Sequence, residues 1–204
     1  MEEDTKAHWE HVYREKSPEQ MSWTQETPQL SINLIKSLNL PKTANIIDLG
    51  GGDSKLVDHL LQEGYTNITV VDISIVALEK AQLRLGEKSK IIKWVVSDII
   101  NFVPQEKYEL WHDRAAFHFL TTIDQINRYL SITANAVTGY MVLGVFSETG
   151  PEKCSGLPVK RYSEQLLEEV FAGNFSKIAC VKEQHITPFQ TSQDFVFCTF
   201  RRHC

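Results

Sequence analysis

Residues 46–54 read IIDLGGGDS: an apolar run ending in an acid, then three glycines, a second acid and a serine. Glycine tolerates φ > 0 and carries no Cβ, so a run of them after a strand lets a ligand lie against bare main chain. Tight packing would ask for one such glycine; three in line, between a buried strand and a helix, favour a ligand. A phosphate loop needs Lys followed by Ser or Thr after its glycines, and GGGDSKLV lacks that order. The dinucleotide fingerprint would place its last glycine at position 55, which is Lys55, and Asp53 sets a carboxylate where phosphates would sit. A nucleoside with a cationic centre and no phosphate tolerates Asp53.

Other acids recur at strand ends. Asp48 closes the first apolar run, Asp72 the second, and Asp98 follows the third. An acid about 20 residues beyond such glycines takes the ribose hydroxyls in nucleotide-binding units, and Asp72 stands there. Asp98 is placed to accept from an exocyclic adenine amine, and Asp48 to support the loop or attract an ammonium group. Singly, each is more often a solvated strand end or a helix cap. Together, they favour a nucleoside site.

The stretches IIDLGGGDS, TVVDIS and VVSDII resemble the first three motifs of class I S-adenosylmethionine-dependent methyltransferases, from about residue 28 to the end of the chain. The usual D-x-G-x-G-x-G has Ser54 in place of its last glycine. The resemblance implies that Gly50 and Gly52 pass under the methionine part of S-adenosyl-L-methionine, with Gly51 and Ser54 also among the cofactor-binding residues. It further implies that Asp72 binds the ribose and Ile73 packs on the adenine. Asp98 and the Ile99 backbone then read the adenine edge, and Asp48 orients the loop and the amino group. A weaker likeness joins HWEHVYREKSPEQMSWTQ to segments that cover the cofactor in small methyltransferases, with Trp23 as a lid over the sulfonium or as an ordinary packing residue. Seven-strand protein-lysine methyltransferases carry an Asp-Lys-Gly turn after the fourth strand. Here it reads Asp113-Arg114-Ala115, which argues against lysine as acceptor.

Methyl transfer from a sulfonium is an in-line displacement, and a base is needed only for a protonated nucleophile. Asp113, Arg114 and His118 fall at the end of the fourth strand. Asp113 and His118 are the candidate catalytic groups, with a core role for His118 as the alternative. Arg114, Arg161, Tyr162 and His185 are candidates for binding the acceptor, Arg161 and Tyr162 from the long loop GPEKCSGLPVKRYS. His8 and His11 have no acidic partner pattern, so no metal is expected.

These residues need a frame. Helix-period and strand patterns alternate from residue 28 onward: helices near 28–38, 56–63, 75–85, 123–136 and 164–172, with strands between them and two closing strands near 175–183 and 193–201. The expected fold is α/β. It is a doubly wound, mostly parallel seven-stranded sheet with helices on both faces and a C-terminal antiparallel hairpin. Residues 1–27 are read as a cofactor-covering segment and 28–204 as the methyltransferase domain. The 204 residues are 42% hydrophobic and 23% charged, as in ordinary globular chains. A net charge of −5 offers no general attraction to nucleic acid, and no apolar run reaches the ~18 residues of a membrane helix. The four cysteines, Cys154, Cys180, Cys198 and Cys204, never form CxxC, so a reduced, cytoplasmic setting is expected. A small-molecule acceptor is favoured and a protein acceptor is the alternative. Outside this class, the rivals are a nicotinamide oxidoreductase and a non-catalytic nucleoside binder.

Overall fold

The computed structural model describes residues 2–203, with side chains from residue 5 onward, so Cys204 lies outside the described residues. Strands β1 (Asn45–Leu49), β2 (Asn67–Asp72), β3 (Ile92–Val96), β4 (Tyr108–Arg114) and β5 (Val137–Phe146) run parallel. A two-residue pair, β6 (Lys153–Cys154) and β7 (Leu157–Pro158), forms a separate antiparallel hairpin. The closing strands are β8 (Phe175–Ile186) and β9 (Ser192–Arg202). The large sheet has the order β3-β2-β1-β4-β5-β9-β8, with β9 antiparallel to β5. The order reverses between β1 and β4, so the crevice of a doubly wound sheet opens at the tips of those strands.

Among the described residues there are six α-helices: α1 (Glu2–Glu15), α2 (Gln29–Ser37), α3 (Leu56–Gln62), α4 (Ile75–Leu85), α5 (Ile123–Ala136) and α6 (Glu164–Phe171). Their starts follow from side-chain caps. Ser74 accepts from the Ala77 amide, Thr122 and Gln125 form a capping box, and Ser163 accepts from Leu166. Period-two alternation then sorts β4 between two cores. Trp111 packs with Tyr129 and Phe171 under α5 and α6, while Leu110 packs with Ile35 and Leu60 under α2 and α3. The same alternation sends Asp113 toward Tyr129 and His112 toward Ser31.

Three features depart from the sequence expectation. The first is α1, which apolar periodicity beginning at residue 28 did not include. Among its described side chains only Val12 and Tyr13 are buried, so its pattern is weak, and its C-terminal part is fixed by contacts to α4. Glu10 accepts from the Ile75 amide at 2.8 Å and so caps α4, while Lys80 on α4 donates to the carbonyls of Tyr13 and Lys16 at the end of α1. Each helix satisfies the other's open backbone groups. The second is the β6–β7 hairpin inside the expected loop. The third is a disulfide between Cys180 and Cys198, register partners on β8 and β9 with Cα atoms 4.2 Å apart. Strand pairing brings together two cysteines that their sequence spacing did not connect.

Candidate functional site

The tips of β1, β2 and β4 open into a cavity of about 1140 Å³. Its floor is the glycine turn. Gly50 has φ +67° and Gly52 φ +47°, conformations costly for other residues. A Cβ at Gly52 would lie 2.6 Å from the Tyr13 hydroxyl and 3.0 Å from an Asp72 carboxylate oxygen, and one at Gly50 would lie 2.6 Å from the Ala116 Cβ. The bare main chain is therefore needed for the turn to fit under α1 and beside the β4–α5 connection.

Asp72 ends β2 at the cavity wall, 6% exposed, and accepts from the backbone amides of Ser74 and Gly52. Burial raises its pKa to about 7, with Asp48 adding to the rise and the amide bonds opposing it. Ile73, Asp98 and Ile99 line the same wall, with Asp98 accepting from the Ile100 amide at 3.1 Å. Ser54 also lines the cavity and accepts from the Leu56 amide at the start of α3. Asp53 turns to Arg84, which also holds Asp58. Its charge is thus matched within the chain, and it repels a phosphate less than the sequence suggests.

Asp48 points into a buried hydrogen-bonded row. Its Oδ1 is 2.7 Å from His112 Nδ1, and His112 Nε2 is 2.9 Å from Ser31 Oγ. All three line the cavity and are nearly inaccessible to solvent. In the tautomer whose Nδ1–H donates to the Asp48 carboxylate, Nε2 is left to accept from the Ser31 hydroxyl. Above this row sits an aromatic cover. Trp23 meets Trp9 edge-on at 5.6 Å and Tyr13 at 6.2 Å, and Trp9 meets Phe119 at 5.2 Å. The Trp23 segment is tethered from the sheet: Arg114 Nη1 donates to the Trp23 carbonyl, and His185 Nε2 lies 2.7 Å from the Ser22 carbonyl.

The other predicted residues lie away from this cavity. Asp113 is fully buried beneath the sheet tip, accepting from Tyr129 at 2.8 Å and from the Ala116 and Phe117 amides. Burial raises it to about 6. Period two explains the misplacement, because Asp113 faces the core opposite to that of its neighbours His112 and Arg114. His118 is also fully buried, its Nδ1 accepting from the Phe146 amide. Burial, and secondarily Arg114, lower its pKa to about 3, so it is neutral. Tyr162 packs against Phe117 in the core, and Arg161 turns outward to Glu152 and the Gly150 carbonyl. Of the four residues expected to bind the acceptor, Arg114 alone lines the cavity, while His185 supports its cover.

Sequence reasoning missed Ser31, His112 and Tyr13 as cavity residues. No local pattern marks Ser31 or His112, whose meeting depends on α2 crossing β1 and β4. Tyr13 was within the aromatic N-terminal segment but not singled out. Cys154 lines the cavity as a neutral thiol, its pKa pushed up to about 11 by burial.

Residues 46–137 match a family described as a methyltransferase domain. No curated protein sequence matches the chain. Several solved structures share its fold. A S-adenosylmethionine-dependent methyltransferase from Anabaena variabilis aligns with TM-score 0.76 at 11% identity, over 99% of this chain and 95% of that one. The 1,6-didemethyltoxoflavin-N1-methyltransferase of Burkholderia thailandensis, solved with its namesake compound and S-adenosylhomocysteine, aligns with TM-score 0.71 at 17% identity, over 100% and 87%. A chain from work on the conversion of a disulfide bond into a thioacetal group during echinomycin biosynthesis gives TM-score 0.77 at 18% identity, over 97% and 92%. The glycine turn, the carboxylate at the β2 tip and the switch-point cavity fit S-adenosylmethionine. Residues 46–137 thus match a methyltransferase-domain family, and the chain has the Rossmann-like fold seen in S-adenosylmethionine-dependent methyltransferases.

Proposed function

We propose that this protein methylates a nucleophilic atom of a small molecule. The observation that carries the reading is the covered cavity. Beyond the glycine turn and Asp72 it continues under Trp9, Trp23, Phe119, Leu157 and Pro158, contributed by α1, the segment after it, the β4–α5 connection and β7. A cover of this kind suits an acceptor that enters whole and is closed over, with water kept out.

The proposed division of labour follows the walls. Gly50, Gly51, Gly52 and Ser54 pass under the methionine part of the cofactor, and Asp72 accepts from its ribose hydroxyls. Ile73 packs on the adenine, and Asp98 with the Ile99 backbone reads its edge. Trp23 turns an aromatic surface toward the sulfonium, a contact worth ~0.5–2 kcal/mol. Bound S-adenosylmethionine supplies the electrophilic methyl carbon. Residues 1–27 act as the cover and 28–204 as the domain it closes.

Asp113 and His118, buried away from the cavity, give way to Ser31 and His112 as the proton path. A protonated nucleophile passes its proton to Ser31 Oγ as the Ser31 proton moves to His112 Nε2. The resulting imidazolium faces Asp48 at Nδ1, the arrangement that stabilises such a charge in other relays.

The test is methyl transfer from labelled S-adenosylmethionine into cell extract separated by size. Label is expected in the small-molecule fraction. Label confined to the protein fraction, or none in either, contradicts the proposal.

A further inference from the structure

Ser22 and Trp23 are the two central residues of a turn closed by the Thr24 amide, which donates to the Met21 carbonyl at 3.1 Å. Such a turn leaves the carbonyls of its central residues without a partner inside it, and here each is taken by a side chain from the sheet. His185, near the end of β8, has Nε2 2.7 Å from the Ser22 carbonyl, and Arg114, at the tip of β4, donates from Nη1 to the Trp23 carbonyl at 2.9 Å. A carbonyl only accepts, so His185 carries its proton on Nε2. Burial, and secondarily the Arg114 charge, lower the His185 pKa and keep the ring neutral. Two strands separated by β5 and β9 therefore grip one dipeptide of the cover.

Arg114 is committed to this contact. Its Nε and Nη2 are enclosed by protein and make no hydrogen bond, and the Phe195 ring lies 5.0 Å from the guanidinium carbon. Burial lowers its pKa to about 10, with Glu183 as the largest opposing influence, so it stays charged at neutral pH. Enclosing a charge to reach one carbonyl is costly, and filling the space alone would ask for no charge. A charge-assisted bond holds the Trp23 main chain more firmly than a neutral donor would. The Trp23 ring is fixed from its other side. Its indole N–H donates to the Tyr13 hydroxyl, which stands 2.6 Å from the place of a Cβ at Gly52. The main chain of Trp23 is thus tied to the sheet and its ring to the floor of the cofactor site.

We infer that Arg114 is a positioning residue, which sets the Trp23 ring over the sulfonium of S-adenosylmethionine by holding the Trp23 main chain, with His185 as the second hold. This rests on the proposed methyltransferase function for the identity of the ligand. The effect has a definite sign. Arg114 is a cation lining the same cavity as the sulfonium, so its charge alone disfavours S-adenosylmethionine relative to the neutral S-adenosylhomocysteine. An aromatic face held on the sulfonium favours S-adenosylmethionine. Removing Arg114 therefore raises the preference for S-adenosylmethionine if the residue acts by charge, and lowers it if the residue acts by placing Trp23.

The test is calorimetric titration of the full chain with S-adenosylmethionine and with S-adenosylhomocysteine, read as the ratio of the two affinities. Trp23→Leu is expected to lower the ratio for S-adenosylmethionine about threefold, and Arg114→Gln to lower it by a similar factor. The double variant should fall no further than either single one, because both changes remove the same contact. A ratio that is unchanged or raised in Arg114→Gln, a ratio untouched by Trp23→Leu, or losses that add in the double variant each overturn the inference. If Arg114→Gln fails to fold, His185→Phe keeps a ring of similar volume and removes the hold on Ser22. The ratio should then fall about twofold, and an unchanged ratio overturns the inference. If neither compound binds the wild-type chain, the methyltransferase reading itself falls. If both bind and the variants leave their ratio alone, only the role of Arg114 is lost.

Discussion

The two halves of the cavity are built differently. The proposed cofactor half comes from three short stretches, residues 48–54, 72–73 and 98–99, each at or just beyond the end of its own strand. The proposed acceptor half is assembled from Trp9, Trp23, Ser31, His112, Arg114, Cys154 and Leu157, which come from five separate places in the chain. The first is local chemistry on a standard turn. The second exists only after α1, α2, β4 and β7 have packed together.

That contrast predicts different responses to mutation. The largest effect belongs to the cofactor half. Asp72→Ala removes a charged acceptor for two ribose hydroxyls and should weaken S-adenosylhomocysteine about 100-fold in calorimetry, at ~1.5–3 kcal/mol per charged hydrogen bond. Unchanged affinity would place the ribose elsewhere. Next is Asp113→Asn, which disturbs a buried carboxylate bonded to Tyr129 and two amides. It should cost about 2–3 kcal/mol of unfolding free energy while leaving cofactor affinity alone. A lost affinity with intact stability would return Asp113 to the site.

A smaller effect is set by pH. The Asp72 pKa is raised to about 7, so acid protonates it and removes its capacity to accept from both ribose hydroxyls. Affinity for S-adenosylhomocysteine should therefore fall with decreasing pH, about tenfold between pH 8 and pH 6, and Asp72→Asn should flatten the profile. A flat wild-type curve contradicts the role. The smallest effect tests the cover. Glu10→Gln removes a carboxylate from the start of α4, worth ~0.3–1 kcal/mol, and should weaken the cofactor two- to threefold by loosening α1. A larger loss would make Glu10 part of the site itself.

The same contrast explains what could be read from the amino-acid order. The strand tips were legible because a parallel sheet converts spacing into position: Asp48 and Asp72 close apolar runs and Asp98 follows a third, and the runs become β1 to β3. Helix starts were legible where a cap stands alone before an apolar pattern, as Ser74 and Ser163 do. β4 shows where this fails. Its segment was correctly a strand, yet His112 rather than Asp113 reaches the cavity, because one residue of register turns a side chain to the opposite face. α1 escaped because only one narrow stripe of it is buried and its docking depends on Glu10 and Lys80. Cys180 and Cys198 show a pairing that only the hairpin register creates.

The central claim is that a phosphate-free nucleoside lies on the glycine turn with its ribose at Asp72. A crystal structure of the complex with S-adenosylhomocysteine tests it most directly. The account predicts both ribose hydroxyls within hydrogen-bond distance of the Asp72 carboxylate, the adenine between Ile73 and Asp98, and the sulfur facing the chamber of Trp23 and Arg114. A ligand bound elsewhere, or an Asp72 carboxylate turned away from the ribose, would contradict it.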